Sequence, residues 1–199
     1  MLFHTWTFAL FFLIAYAVYL AVKGTRLQNP WLLTASYVFY GWWNPLYLVL
    51  IVRCTLMDYL AVVLMARTRR PWLRKLWLAV SIVTNLAVLG LFKYGGFITD
   101  NINALLAGAG VSYALPAPGF LLPVGISFYT FQSMSYTIDC YRGRIGPERS
   151  LIRFATFVAL FPQLVAGPIE RASNLLPQLR TTRRITAGDV SDGLSLFVV

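Results

Sequence analysis

WLLTASYVFYGWWNPLYLVLIVRCTLMDYLAVVLMA, residues 31–66, carries only Arg53 and Asp58 as charged side chains, and its reading decides the fold class. As one helix it would be about 54 Å long, against a hydrocarbon layer of about 30 Å. Asn44-Pro45, directly after Gly41-Trp42-Trp43, supplies a break. Proline removes a helical hydrogen bond and restricts the residue before it. The stretch therefore reads as two membrane crossings, 31–43 and 45–66, with the Trp pair at the interface between them. Arg53 and Asp58 then lie inside the second crossing, where charges are expensive and must find partners or water. They are too far apart along one helix for an ideal pair, so pairing between helices is the expectation.

Composition extends this reading to the whole chain. Hydrophobic residues make up 58% and charged residues 12% of the 199 positions, with a mean hydropathy of +0.66. Soluble domains carry about 25% charged residues. Too little polar surface is present to cover so much apolar material in water. Disorder, collagen, coiled coil and a disulfide framework fail on the same balance. The expected class is an all-α polytopic membrane protein.

Upstream, residues 2–22 form a first span. Ala15-Tyr16-Ala17 imitates a signal-peptide cleavage site, but no cation precedes the run and it continues past that tripeptide. Lys23 and Arg26 follow it, which puts the N-terminus outside and the first loop in the cytoplasm. Downstream, residues 76–92 lead outward to Lys93-Tyr94 at the far interface. Gly95 to Pro123, with Asp100, no cation, Pro116 and Pro118, reads as an outside loop holding a short interfacial helix around 102–106. Residues 120–138 return inward.

Residues 154–167 are short for a crossing, interrupted by Pro162, closed by Gly167-Pro168 and flanked by cations. They read as a re-entrant helix beside an internal cavity, since broken backbone at membrane depth needs protein or water to satisfy it. Thr186 and Asp189 have capping-box form before an incomplete helix from about 188. No C-cap glycine, cation or proline follows that helix, so the sequence reads as the front part of a longer protein. Residues 1–199 thus form one unit of about five transmembrane helices plus the re-entrant segment.

A net charge of +10 would suggest nucleic acid in a soluble domain. Here the cations fall in clumps between apolar runs: Lys23 and Arg26; Arg67, Arg69, Arg70, Arg74 and Lys75; Arg142, Arg144, Arg149 and Arg153; Arg171, Arg180, Arg183 and Arg184. That is the positive-inside pattern, with attraction to anionic headgroups added. Gly143-Arg144-Ile145-Gly146 matches an RNA-clamping loop in form only, so no nucleic-acid partner is expected. Cys54 and Cys140 have no CxxC spacing and no nearby histidine, so no metal site is expected. His4 is the single histidine. Ser127, Ser133 and Ser135 have no base in view.

Two stretches are more specific than generic span. They are Leu122-Pro-Val-Gly-Ile-Ser-Phe-Tyr-Thr-Phe-Gln132, running on to Ile138-Asp-Cys-Tyr-Arg-Gly143, and Phe154 through Phe161-Pro-Gln-Leu-Val-Ala-Gly-Pro-Ile-Glu-Arg171. With Tyr40-Gly-Trp-Trp-Asn-Pro45, Asp58-Tyr59 and Asn85 through Tyr94, the chain resembles the membrane-bound O-acyltransferase (MBOAT) family, in its alginate O-acetyltransferase-like branch. The resemblance covers essentially the whole chain as the N-terminal part of that fold.

The resemblance implies a multi-pass enzyme of the bacterial inner (plasma) membrane. It would transfer acetyl groups to hydroxyls of an exported polysaccharide such as alginate. The donor would be an acyl thioester, acetyl-CoA or carrier-linked, reached from the cytoplasm, with no bound cofactor. Besides the lipid bilayer, the partners would be that polysaccharide and the periplasmic or extracytoplasmic proteins that present it. In this family an intramembrane histidine takes the acceptor's proton, in a tunnel that keeps water off the donor. That histidine lies beyond Val199, so no catalytic residue is assigned, His4 does not match it, and the 199 residues alone are expected to be inactive. D-alanyl transfer to teichoic acid, in the same family, and a non-enzymatic transporter or translocation subunit are the alternatives.

Within this chain Pro162, Gly167 and Pro168 are expected to break the re-entrant helix and free carbonyls toward the tunnel. Gln163 offers both donor and acceptor groups there. Glu170 and Arg171 form either a charged gate at the cytoplasmic mouth or a solvated salt bridge. Gln132 and Asp139 either line the tunnel or bond between helices.

Overall fold

The computed structural model of the chain describes residues 5–42, 44–116, 119, 123–167 and 170–181, with 186, 188, 189, 192, 193 and 195. Among the described residues all regular structure is helical. The elements are α1 (Trp6–Val22), α2 (Gln28–Gly41), α3 (Leu46–Arg67), α4 (Pro71–Gly108), α5 (Ile126–Tyr141), α6 (Leu151–Ala159), α7 (Phe161–Ala166) and α8 (Ala172–Arg180). α3 packs against α4 and α5, which also touch each other, so these three form a bundle. α2 lies on α6, α1 on α2, and α8 covers α6. The core between them holds Tyr40, Ile51, Tyr129, Tyr136, Phe154 and Phe157. The Tyr136 and Phe154 rings lie 4.6 Å apart between centroids, a contact worth about 0.5–1.5 kcal/mol beyond its buried area.

The outer surface is apolar as well. Leu10, Leu13 and Ile14 on α1, Val49 and Leu60 on α3, and Val83 and Leu86 on α4 all face outward. α3 and α4 are long and apolar enough to cross a bilayer, and α1 and the Leu151–Leu164 run are shorter apolar helices. An apolar exterior over an apolar interior fits a membrane protein.

The break in the opening stretch falls where Pro45 places it. α2 ends at Gly41, α3 begins at Leu46, and the Leu46 N–H donates to Asn44 Oδ1 at 3.0 Å. Trp43 lies outside the described residues. α2 starts three residues before the expected span, at Gln28, because Pro30 is tolerated in a first helical turn.

The largest departure is in α4. The expected outside loop from residue 95 is helical through Gly108, and the short helix expected around 102–106 is the end of the same rod. Gly95 and Gly96 each cost a helix about 1 kcal/mol relative to alanine, which does not stop it. No proline intervenes before Pro116. The helix is closed instead by Gly110, at φ +75°, where the Val111 N–H reaches Leu106 O at 2.9 Å and the Gly110 N–H reaches Ala107 O at 3.1 Å. Beyond it, Asn103 exchanges two hydrogen bonds with the Leu115 backbone, at 3.0 and 2.7 Å, and ties the returning chain to the rod.

At its other end α4 begins at Pro71, so Arg74 and Lys75 sit in its first turns rather than in a loop. α5 begins at Ile126, while residues 120–122 of the expected span lie outside the described residues. Thr186 and Asp189 do cap reciprocally, with the Asp189 N–H on Thr186 Oγ1 at 3.2 Å and the Thr186 N–H on Asp189 Oδ2 at 2.8 Å. Most of the helix expected after them lies outside the described residues.

Candidate functional site

Gln132 and Ser133 are consecutive on α5, so their side chains leave the helix about 100° apart. Each fastens α5 to a different neighbour. Gln132 faces the break between α6 and α7. Continuous helix there would place the Phe161 N–H on Phe157 O, but Leu160 adopts extended backbone (φ −57°, ψ 113°) and parts them. The two orphaned groups are rescued by side chains. Gln132 Nε2 donates to Phe157 O at 2.8 Å, and the Phe161 N–H donates to Ser36 Oγ of α2 at 3.2 Å. Pro162 then occupies the first turn of α7, where its missing N–H does no harm. The break thus lies two residues before the proline that signals it.

Gln132 Nε2 also reaches Gln163 Oε1, at 3.3 Å. The two expected tunnel glutamines therefore meet, Gln132 buried and Gln163 partly exposed. Two glycines let this corner close. A Cβ on Gly125, already at φ +80°, would lie 2.5 Å from Leu164 O; one on Gly167 would lie 2.6 Å from Gln163 Cα. Tyr40 Oη donates to Val124 O at 2.9 Å and holds the Gly125 turn from α2. Pro168, the remaining expected breaker, lies outside the described residues.

Ser133 faces the other way, into the α3–α4–α5 bundle. It donates to Asp58 Oδ2, Ser81 donates to Oδ1, and Asn85 Nδ2 lies 2.8 and 2.9 Å from the two oxygens. Cys54 Sγ, one turn back on α3, is 3.8 Å from Oδ2. Asp58, Ser81 and Ser133 are wholly buried. A lone buried carboxylate costs several kcal/mol, and here neutral donors from three helices offset that cost. Arg53, half-buried, is not a partner. Ser133 has a carboxylate beside it but no exposed surface through which a substrate could reach it.

A second buried carboxylate, Glu148, lies in the loop between α5 and α6. Its Oε1 accepts from Arg153 Nη1 at 2.8 Å and the Ser150 N–H at 3.0 Å; Oε2 accepts from Arg180 Nη2 at 2.7 Å and Nε at 3.0 Å. Its own N–H donates to Tyr136 Oη at 2.8 Å. Burial pushes the carboxyl pKa up, but the Ser150 N–H and the two arginines outweigh it and hold it below the usual carboxylate range. Sequence reasoning missed this centre because Arg153 and Arg180 counted only as orienting charge. An acid five residues before Arg153, amid a basic clump, was the available signal.

The other candidate residues lie apart from the glutamine pair. Asp139 pairs with Arg144 at 3.4 Å at the end of α5, where Gly143 turns the chain at φ +73°. Asp139 is seven positions beyond Gln132, about 10 Å along the helix. Glu170 accepts from Asn174 Nδ2 at 2.9 Å, and Arg171 is an exposed N-cap of α8. Among the described residues these two make no ion pair with each other. No three His, Cys, Asp or Glu among the described residues gather as a metal set. His4 lies outside them, and Cys54 and Cys140 are free thiols.

Over all 199 residues the chain is 39% identical to the probable alginate O-acetylase AlgI of Pseudomonas putida, and 38% identical to that of Pseudomonas aeruginosa. It spans 41% and 38% of those two proteins, about two fifths of their length. The peptidoglycan O-acetyltransferase of Helicobacter pylori is 29% identical over 95% of the chain, which covers 39% of that protein. No family model and no solved structure matches the chain.

Proposed function

We propose that this chain, a homologue along its whole length of MBOAT-type polysaccharide O-acetylases, forms part of a membrane enzyme that acetylates an exported polysaccharide such as alginate. The observation that carries the reading is the 38–39% identity to the alginate O-acetylases over all 199 residues. On this reading about five helices cross the bacterial inner membrane, the N-terminus lies outside, and α6–α7 enter from the cytoplasmic side and return. An acyl thioester delivers the acetyl group from the cytoplasm, and the polysaccharide hydroxyl arrives from the other face with extracytoplasmic partner proteins.

In the transfer the acceptor oxygen attacks the thioester carbonyl, the carbon–sulfur bond breaks, and the hydroxyl proton passes to a base. That base would be the family histidine, and no histidine stands among the described residues. The residues here shape the route. Gln132 and Ser36 hold the α6–α7 corner rigid against α5 and α2. Gln163, whose amide N–H groups have no partner among the described residues, would orient a carbonyl or hydroxyl oxygen. Supporting this role, each backbone group freed at the corner is tied to a side chain from a different helix. Peptidoglycan is the second acceptor class, on the strength of the Helicobacter relative.

The test is a chimera in which these 199 residues replace the matching segment of the Pseudomonas putida relative, in a strain lacking its own O-acetylase. Restored acetyl esters on secreted alginate are expected, with a loss of tenfold or more for Gln163→Ala. The 199 residues expressed alone should restore none. Alginate without esters, from a chimera that accumulates in the membrane, would sink the alginate reading. Esters appearing on peptidoglycan instead would move the proposal to the second acceptor.

A further inference from the structure

The arginines around Glu148 do more than neutralise it. A cavity of about 320 Å³ opens beside them, lined by Gly146, Pro147, Glu148, Arg149, Arg153 and Arg180. Three arginines line it against a single glutamate. Both oxygens of that carboxylate are already occupied by Arg153, Arg180 and the Ser150 N–H. Glu148 therefore serves the cavity by holding two arginines in fixed positions, and the charge excess remains positive.

Donor capacity is left over as well. Arg153 Nε is buried and has no hydrogen-bond partner among the described residues. The Arg149 side chain makes no ion pair among the described residues, while Tyr59 Oη pins the Arg149 backbone oxygen at 2.7 Å. Guanidinium groups held in place by a buried acid lose little freedom on meeting a second, tetrahedral anion, and their planar forks suit phosphate oxygens. A phosphate monoester carries about −1.5 to −2 at neutral pH, which matches the excess of the site.

We infer that the Arg149–Arg153–Arg180 cavity is a phosphate-binding site. The shared chemistry is the phosphate group, presented either by a soluble phosphate ester or by an anionic lipid headgroup. The inference does not rest on acyl transfer, and its test needs no turnover.

The chain is placed in phosphatidylcholine nanodiscs and titrated calorimetrically with inorganic pyrophosphate. In parallel it is purified from vesicles of phosphatidylcholine and phosphatidylglycerol, and the co-purifying lipid is weighed by mass spectrometry. Saturable pyrophosphate binding without phosphatidylglycerol enrichment assigns the site to a soluble ester. Enrichment of phosphatidylglycerol, displaced by pyrophosphate only weakly, assigns it to a headgroup. In either case Arg149→Gln and Arg180→Gln should each weaken the interaction about tenfold. Arg142→Gln, a nearby exposed cation outside the cavity, should leave it unchanged. Arg149→Gln is the decisive variant, because Arg149 takes no part in holding Glu148 and its loss does not disturb that cluster. Binding in neither arm, or equal losses for Arg142→Gln and Arg149→Gln, overturns the site.

Discussion

Asp58 and Glu148 are both sealed from solvent, at 0% and 2% exposure, and they are satisfied in opposite ways. Asp58, in the middle of α3, takes hydroxyl, amide and thiol donors and no cation. Glu148, in the loop before α6, takes two arginines and a backbone N–H. The difference follows from what each place can supply. In the α3–α4–α5 bundle a cation would be a second buried charge with its own desolvation cost, so small neutral donors serve. At the loop, Arg153 and Arg180 keep part of each side chain in solvent, at 28% and 48% exposure, and so bring their charge cheaply. Depth selects the partner.

The contrast can be broken most sharply at Asp58. Asp58→Ala strands the donors of Ser81, Asn85 and Ser133 in the bundle and should destabilise by about 3–5 kcal/mol, read as reversible unfolding in mixed micelles. Asp58→Asn, which keeps one acceptor oxygen, should recover part of that loss. If Asp58→Ala unfolds no more easily than wild type, the bundle does not depend on its acid.

Glu148→Ala should cost less, about 1–3 kcal/mol, because the arginines it releases can turn to water. The same denaturation assay checks this. A larger loss than at Asp58 would reverse the ranking that depth predicts.

Acid should then erase the difference between Glu148 and its variant. Its folded pKa lies below the unfolded value, so the stability it adds is fully present above the ordinary carboxylate range. That stability is lost as pH falls through the lowered folded value. The gap between wild type and Glu148→Gln should therefore close on acidification below the ordinary carboxylate range; a gap that widens there refutes the sign.

A smaller effect is expected from salt. Between 0.1 and 1 M the Debye length shrinks from about 10 Å to about 3 Å. This should trim the Glu148 contribution by a few tenths of a kcal/mol and leave the penalty of Asp58→Ala unmoved. The smallest change should be Cys54→Ala, since a thiol is a weak donor at 3.8 Å. A loss above about 1 kcal/mol would mean that packing at Cys54, not its thiol, matters.

How much of this was legible follows from the range over which each signal acts. The α2–α3 break is local, and Pro45 announces it. The need of Asp58 for partners is legible from its surroundings alone. The identity of those partners is not, because Ser81, Asn85 and Ser133 converge only once α4 and α5 have been packed at particular rotations. The Ser81–Asn85 spacing of four marks one polar face on α4, but many apolar helices carry such a face without a partner. The far half of α4 reads as a loop from Asp100, the lack of cations, and Pro116 and Pro118, but none of these stops a helix before Gly110, and helix propensity penalises Gly95 and Gly96 without forbidding them. At the candidate site, Pro162 signals the break and Gln132 its polar neighbour. The joining of Phe157 O to Gln132 and of Phe161 N to Ser36 depends on α5 and α2, 25 and 125 positions away.

The spread of donors around Asp58 also sets an order of events during synthesis. Ser81 and Asn85 lie 23 and 27 residues after it, and Ser133 lies 75 residues after it. At about 5–20 residues per second, roughly 4–15 s separate the making of Asp58 from that of Ser133. For that interval α3 exists with its acid only partly satisfied. Its acid is therefore satisfied in two steps, first by Ser81 and Asn85 from α4 and only later by the Ser133 hydroxyl from α5.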